Sequence, residues 1–284
     1  MPELPEVECI VRDLNKYLKG KKITGVFFIF YQMLQGVSPE VFGREIRGEV
    51  IQEIKRRGKY ILFFLSNDKI LEVHLRMTGR LYYYSNSVAP EKYTGAVFYL
   101  DGGDELHYQD IRKFGTFRLH VKQDLSQLKP YLLGLDPLED NFTLNSFLEI
   151  LKRNPGRKIK PFLLDQKNIA GMGNIYTDET LFRAGIHPQR KVNSLTLQEI
   201  KKLFESLLST LKEGIECRGT SVSDYRDIRG QEGEFQKRLK VYRREGAYCL
   251  RCGSTIQRKL LAGRGTYFCP SCQPLSCNKR RWEQ

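Results

Sequence analysis

Met1-Pro2-Glu3-Leu4-Pro5-Glu6-Val7-Glu8 carries two readings at once. As structure it is a helix start: proline is at home in the first turn, and carboxylates favour the positive end of the helix dipole. Leu4, Val7, Val11, Leu14 and Leu18 then recur at spacings of three and four. That period predicts a helix over residues 3–19, which Gly20 ends. As chemistry, removal of Met1 would leave Pro2 as an N-terminal secondary amine. A free α-amino group has a pKa of about 7.7–8 and is partly neutral at pH 7. Only the neutral amine attacks carbon, and a secondary amine gives an iminium that stays charged, an electron sink. Glu3 and Glu6, one turn apart, can both flank that amine and move protons. On these eight residues alone the structural reading stands ahead.

Outward from this helix the period changes. From Ile23 to about Val121 the chain reads as short strands, among them Ile23–Tyr31, Val50–Arg56, Tyr60–Leu65, Ile70–His74, Leu81–Tyr84, Ala96–Leu100 and Thr116–Val121. Many short strands with little helix between them predict a two-sheet antiparallel sandwich. Residues 1–122 are therefore expected to form a β-sandwich domain and 123–140 a linker. From Thr143 the period is helical, most clearly over Thr196–Gly214, where Ile200, Leu203, Phe204, Leu207, Leu208 and Leu211 share a face. Residues 141–235 are expected to be a helical domain ending in a mobile Gly-rich loop, 217–235. A small basic module, 236–284, closes the chain. The expected class is α+β multidomain.

Composition narrows the partners. The 284 residues suffice for two modest domains, and a hydrophobic content of 40% is ordinary for a soluble protein. A net charge of +14, from 47 basic and 33 acidic residues, points to a polyanion. Residues 226–284 alone hold fourteen Lys or Arg against five Asp or Glu. No stretch is long enough to span a bilayer, and the acidic N-terminus lacks a signal-peptide pattern. A cytosolic location is expected, so the seven cysteines argue for metal rather than disulfides.

Cys249-x2-Cys252 and Cys269-x2-Cys272, sixteen residues apart, have the spacing of a closed tetrahedral zinc site. Four thiolates leave no open position, so the Zn2+ is expected to be structural, stabilising a module too short for a core of its own. Cys9, Cys217 and Cys277 fall outside the spacing. Between the cysteine pairs, Leu261-Ala262-Gly263-Arg264-Gly265-Thr266-Tyr267-Phe268 sets a Gly-flanked Arg at a hairpin tip, which fits a phosphate or a solvated turn. Lys167-Asn168-Ile169-Ala170-Gly171-Met172-Gly173-Asn174-Ile175-Tyr176 reads as a Gly-x-Gly turn into a helix start, a geometry that suits phosphate. In the sandwich, Arg57-Gly58-Lys59-Tyr60, His74-Leu75-Arg76-Met77-Thr78-Gly79 and Gln109-Asp110-Ile111-Arg112-Lys113-Phe114-Gly115 are turns. Singly, each reads as a solvated basic turn or a core histidine.

Together these segments resemble the formamidopyrimidine-DNA glycosylase/endonuclease VIII family, bacterial base-excision repair enzymes, over nearly the whole chain. The resemblance implies an N-terminal helix plus antiparallel β-sandwich, a helix–two-turn–helix domain and a C-terminal zinc-finger β-hairpin. It implies a bifunctional glycosylase/AP lyase acting on double-stranded DNA with oxidised bases or abasic sites, as a monomer in the bacterial cytoplasm at the nucleoid. Pro2 would be the nucleophile, Glu3 and Glu6 the acid/base and orienting groups, and Lys59 an assisting cation. His74, Met77, Arg112, Phe114, Lys160, Asn174, Tyr176 and Arg264 would contact DNA. Glu179 would line the lesion pocket under a capping loop, 217–235, and Arg264 would also donate a proton in elimination. The sequence departs from the family pattern at Arg76, in place of Gly, at Ile111, in place of Pro, and at Lys113, in place of Arg. An endonuclease VIII-type enzyme for oxidised pyrimidines is the nearest alternative, against which Leu4 speaks. A catalytically silent zinc-ribbon DNA-binding protein is the other.

Overall fold

Helix α1 (Leu4–Leu18) starts where the chain leaves the extended conformation of Glu3, with Pro5 in its first turn and a reciprocal Glu3–Glu6 capping box. Its buried stripe is Leu4, Val7, Ile10, Val11, Leu14 and Leu18. Complete burial of such side chains contributes roughly 1.5–3 kcal/mol each. Asn15 ties the helix to strand β2 (Ile51–Arg57) through both backbone groups of Ile54. Lys19 leaves the helix extended, and Gly20, at φ 86°, completes the exit.

The computed structural model describes residues 1–121 and 125–275. They form two units: Met1–Leu132 with Gly214–Gln236, and Leu133–Glu213 with the chain from Lys237 onward. In the first unit, β1 (Ile23–Phe28), β6 (Thr94–Leu100), β7 (Glu105–Asp110) and β5 (Gly79–Tyr84) form one antiparallel sheet in the order β1-β6-β7-β5. The second sheet runs β2-β3-β4-β8, with β3 at Tyr60–Leu65, β4 at Lys69–His74 and β8 at Thr116–Val121. Their inner faces share one core, where Phe98 of the first sheet stacks on Phe117 of the second with ring centroids 5.8 Å apart. The sandwich expected from the strand pattern is thus present.

Two elements were not legible in the strand pattern. Strand β7, Glu-Leu-His-Tyr-Gln-Asp, is buried along its whole length despite its polar residues. They are paired: His107 meets Glu105 at 2.7 Å, and Gln109 donates to Glu91 at 3.1 Å. Helix α2 (Pro39–Ile46) carries a cap signal, Ser38 accepting the Val41 N–H with Pro39 at the first position.

The second unit holds α3 (Leu144–Lys152), α4 (Ile159–Leu164) and α5 (Asn174–Ala184), with most of α6 (Leu197–Glu216) and the hairpin β9 (Gln257–Leu261) and β10 (Arg264–Phe268). Helix α5 ends on Gly185 in the left-handed region. The hairpin turns through Ala262 and Gly263 at φ 49° and 71°, both positive as a two-residue turn between twisted strands requires. Among the described residues, no helix is long and apolar enough to cross a membrane.

Residues 217–235 were expected to be a mobile loop, yet much of the segment is anchored. Tyr225 and Ile228 enter the sandwich core. The Asp227 carboxylate accepts the N–H groups of Arg229 and Gln231 and pairs with Arg218, which also holds Asp13. The Ile228 carbonyl accepts the Tyr83 N–H of edge strand β5.

Candidate active site, loops and metal centre

Pro2, Glu3 and Glu6 are buried at the start of the first unit and Lys59 in the turn between β2 and β3, and Glu3, Glu6 and Lys59 all act on the N-terminal amine. The Glu6 carboxylate bridges two segments: Oε2 accepts the Glu3 N–H at 2.8 Å and Oε1 accepts the Thr220 N–H at 2.8 Å. Gly219 makes the second contact possible. A Cβ there would stand 2.9 Å from Glu6 Cγ and 2.8 Å from the Tyr225 ring, at a φ of +86°. The α-amine, borne here by Met1, stands one residue ahead of the Pro2 nitrogen. Burial holds it below its ordinary pKa of 8.0; Glu3 and Glu6 oppose that shift, and Lys59 adds to it. An amine held below its ordinary pKa, acted on by two carboxylates and an ammonium, is suited to nucleophilic attack with proton transfer alongside.

The turns after β4 and β7 are built on one buried carboxylate. Asp110 accepts the backbone N–H groups of Arg112, Phe114 and Gly115 and the hydroxyls of Thr78 and Tyr108. Gly79 and Gly115 close over the Tyr108 hydroxyl, and a Cβ at Gly115 would stand 1.6 Å from it. So fixed, the two turns present Met77 at 39% exposure, Phe114 at 53% and an exposed Arg112 whose guanidinium sits 4.7 Å over the Phe114 ring. Arg76 and Lys113, both departures from the family pattern, take left-handed φ values of 53° and 56°. Neither prevents its turn from forming.

His74 is buried, and its Nδ1 accepts the Arg76 N–H at 3.0 Å. Burial, with Arg76, Lys59 and Lys129 nearby, pushes its pKa down to about 3. At neutral pH, without DNA, His74 is therefore neutral. Its ring can offer only a neutral N–H.

In the second unit the residues expected at DNA phosphates are largely turned to internal tasks. Lys160 is completely buried, with Nζ 2.7 Å from Asp178 and donating to the Gly265 carbonyl at 3.1 Å. Asn174 donates to that same carbonyl at 2.9 Å. Tyr176 has no exposed surface. Glu179 is buried too, its carboxylate accepting the N–H groups of Lys240, Val241 and Tyr242. Burial pushes this carboxyl up while those N–H groups oppose the shift. Arg264, by contrast, is exposed at the start of β10. The roles of Asp110, Asp178 and Gly219 were not read from sequence. An Asp opening a turn does signal a side-chain acceptor for backbone N–H groups, but nothing local marks the other two.

The sulfur atoms of Cys249, Cys252, Cys269 and Cys272 all lie within 4.8 Å of one another, with Cys249–Cys272 at 3.9 Å and Cys252–Cys269 at 3.5 Å. Tetrahedral zinc with Zn–S bonds of about 2.3 Å needs sulfurs about 3.8 Å apart, so the donor set fits one structural Zn2+. Backbone N–H groups of Arg251 and Cys272 point at Cys249 and Cys269 sulfurs, as around a bound thiolate. Cys9 and Cys217 are buried and, among the described residues, form no disulfide, and Cys277 lies outside the described residues.

Three segments match domain families in order. Residues 1–117 match the formamidopyrimidine-DNA glycosylase N-terminal domain, 133–226 its H2TH domain, and 249–275 the zinc finger found in FPG and IleRS. The chain is 46% identical over 276 residues to the formamidopyrimidine-DNA glycosylase of Desulfitobacterium hafniense, covering 96% of this chain and all of that one. It is likewise 46% identical over 274 residues to that of Pelotomaculum thermopropionicum, covering 96% and 99%. A solved complex of Lactococcus lactis Fpg with DNA containing an abasic site superposes with a TM-score of 0.87 at 38% identity, covering 96% of this chain and 99% of that one. The chain belongs to the formamidopyrimidine-DNA glycosylase family. As a member it is a DNA glycosylase of DNA repair, with a structural zinc finger.

Proposed function

We propose that the chain is a bifunctional DNA glycosylase and abasic-site lyase. Its substrates would be duplex DNA carrying 8-oxoguanine, formamidopyrimidines or abasic sites. A base inside a duplex cannot be reached, so the nucleotide is flipped out first. The neutral Pro2 nitrogen attacks C1′ as the bond from C1′ to the base breaks. The base leaves with the proton that the nitrogen sheds, Glu3 protonates O4′ as the C1′–O4′ bond opens, and an iminium joins sugar to protein. Loss of a C2′ proton to a carboxylate then expels the 3′ phosphate. A second elimination expels the 5′ phosphate, and water releases the sugar fragment from Pro2. Lys59 steadies the phosphate, and Arg264 grips the backbone and supplies a proton in elimination. Met77, Arg112 and Phe114 fill the stack that the flipped base leaves.

The observations that carry this reading are the burial of Pro2, Glu3, Glu6 and Lys59 and an α-amine, one residue ahead of Pro2, that is held below its ordinary pKa and feels all three charged groups. The solved Lactococcus lactis complexes add support, being with DNA that contains Fapy-dG, an abasic site or an oxidised pyrimidine. The last of these extends the proposed range to some oxidised pyrimidines. The test is an N-terminally extended protein, in which the amine has become an amide. It should bind abasic duplex and cut nothing; full strand cutting by it would end the Pro2 mechanism.

A further inference from the structure

The outer edge of β10 is held by side chains rather than by a strand. Strand β10 pairs with β9 from Arg264 opposite Leu261 to Phe268 opposite Gln257. In an antiparallel pair closed by a two-residue turn, alternate residues point their backbone groups away from the partner. Here those residues are Gly265 and Tyr267. The Gly265 carbonyl accepts from Lys160 Nζ and Asn174 Nδ2, and the Tyr267 N–H donates to Asp178 Oδ2 at 3.0 Å. Helices α4 and α5 thus complete an edge that would otherwise be open. Lys160 and Asp178 have no exposed surface, and their charges lie 2.7 Å apart. A buried charge needs its partner, so the two hold each other as well as the strand. Gly265 is bonded directly to Arg264.

We propose that Lys160 and Asp178 are positioning residues for Arg264: their buried pair fixes the register and height of the hairpin tip, and Lys160 itself touches no phosphate. The proposal rests on the reading of Arg264 as a DNA contact. A phosphate contact and a positioning residue differ in one measurable respect. Each phosphate neutralised contributes about 0.9 to the slope of log affinity against log salt: a phosphate contact at Lys160 would add its own share to that of Arg264, whereas a positioning residue removes only the share of Arg264 and loosens the β10 edge.

The experiment compares wild type, Lys160→Met and the double variant Lys160→Met/Asp178→Leu, which leaves no orphaned charge if the single variant fails to fold. Binding to a duplex bearing a tetrahydrofuran abasic analogue is measured across salt, and amide exchange is followed at Tyr267. The expected result is faster exchange at Tyr267 and about tenfold weaker binding, the scale of one charge-assisted hydrogen bond, with the salt slope flatter by about one, the share of the displaced Arg264. Arg264→Ala should add little on the Lys160→Met background. A slope flatter by about one with Tyr267 exchange unchanged would make Lys160 a phosphate contact. Full additivity with Arg264→Ala would equally overturn the positioning role. Should wild type itself not bind the duplex, the functional reading fails, while the exchange comparison still decides whether the pair holds the hairpin.

Discussion

Glu6 and Thr220 are joined by a 2.8 Å hydrogen bond between the carboxylate of α1 and a backbone N–H 214 residues away. The other oxygen of the same carboxylate holds the Glu3 N–H. The 217–235 segment and the N-terminal cluster are therefore set by one group. Gly219→Ala places a methyl against Glu6 and Tyr225 at a φ that alanine tolerates poorly. Overpacking of this kind costs about 1–3 kcal/mol. Urea melts should show that loss, and strand cutting should fall more than duplex binding does. Unchanged cutting would mean that the Glu6–Thr220 link plays no part in catalysis.

Asp110 accepts from three backbone N–H groups and two hydroxyls. Asparagine would turn a donor toward one set of those donors, at a cost of roughly 1–3 kcal/mol for each group left unsatisfied. Asp110→Asn should lower stability and blur whatever Arg112 and Phe114 read. Arg112 offers donors only. Cytosine presents two adjacent acceptors on its pairing edge, whereas adenine presents an acceptor and a donor. Excision of 8-oxoguanine should accordingly be faster opposite cytosine than opposite adenine. Arg112→Ala should narrow that ratio, by roughly 1–3 kcal/mol if base readout sets it. An equal loss on both duplexes would make Arg112 a backbone contact.

His74 gives a pH signature whose sign is fixed. Its folded pKa, about 3, lies below the ordinary 6.5. Between those values the unfolded chain holds a proton that the folded chain does not. The stability it contributes is present above pH 6.5 and is lost as pH falls toward 3, by up to about 1.4 kcal/mol per pH unit. His74→Asn should flatten that limb. In wild type, NMR should find the ring neutral at pH 5, and titration near 6.5 would contradict the buried setting formed with Arg76, Lys59 and Lys129.

The zinc site makes a simpler claim. Cys269→Ser should release the metal and unfold the β9–β10 hairpin, while the sandwich, whose described core includes none of the four cysteines, should melt normally. Metal content and duplex affinity, measured together, decide it. A metal-free variant that binds DNA as wild type does would make the hairpin dispensable.

How much of this was legible in the sequence differs by residue. The zinc spacing and the α1 stripe are local patterns, and each survives in the fold unchanged. Met77, Arg112 and Phe114 were found as turn residues, and the structure exposes all three. Lys160, Tyr176 and Glu179 were legible as residues but not as environments. Burial and a partner far along the chain set the state of each, and nothing near Lys160 in sequence announces Asp178 or Gly265. Strand β7 was obscured for the same reason, because its polar side chains are satisfied by pairs that a period count cannot see.

The central claim is that the Pro2 nitrogen bonds to the sugar. The most direct measurement is borohydride reduction of the processed protein with an abasic duplex, followed by peptide mapping of the adduct. The mechanism predicts one covalent complex, with the sugar remnant on the N-terminal peptide at Pro2. Cutting without any trapped complex, or an adduct mapped to Lys59 instead, would contradict it.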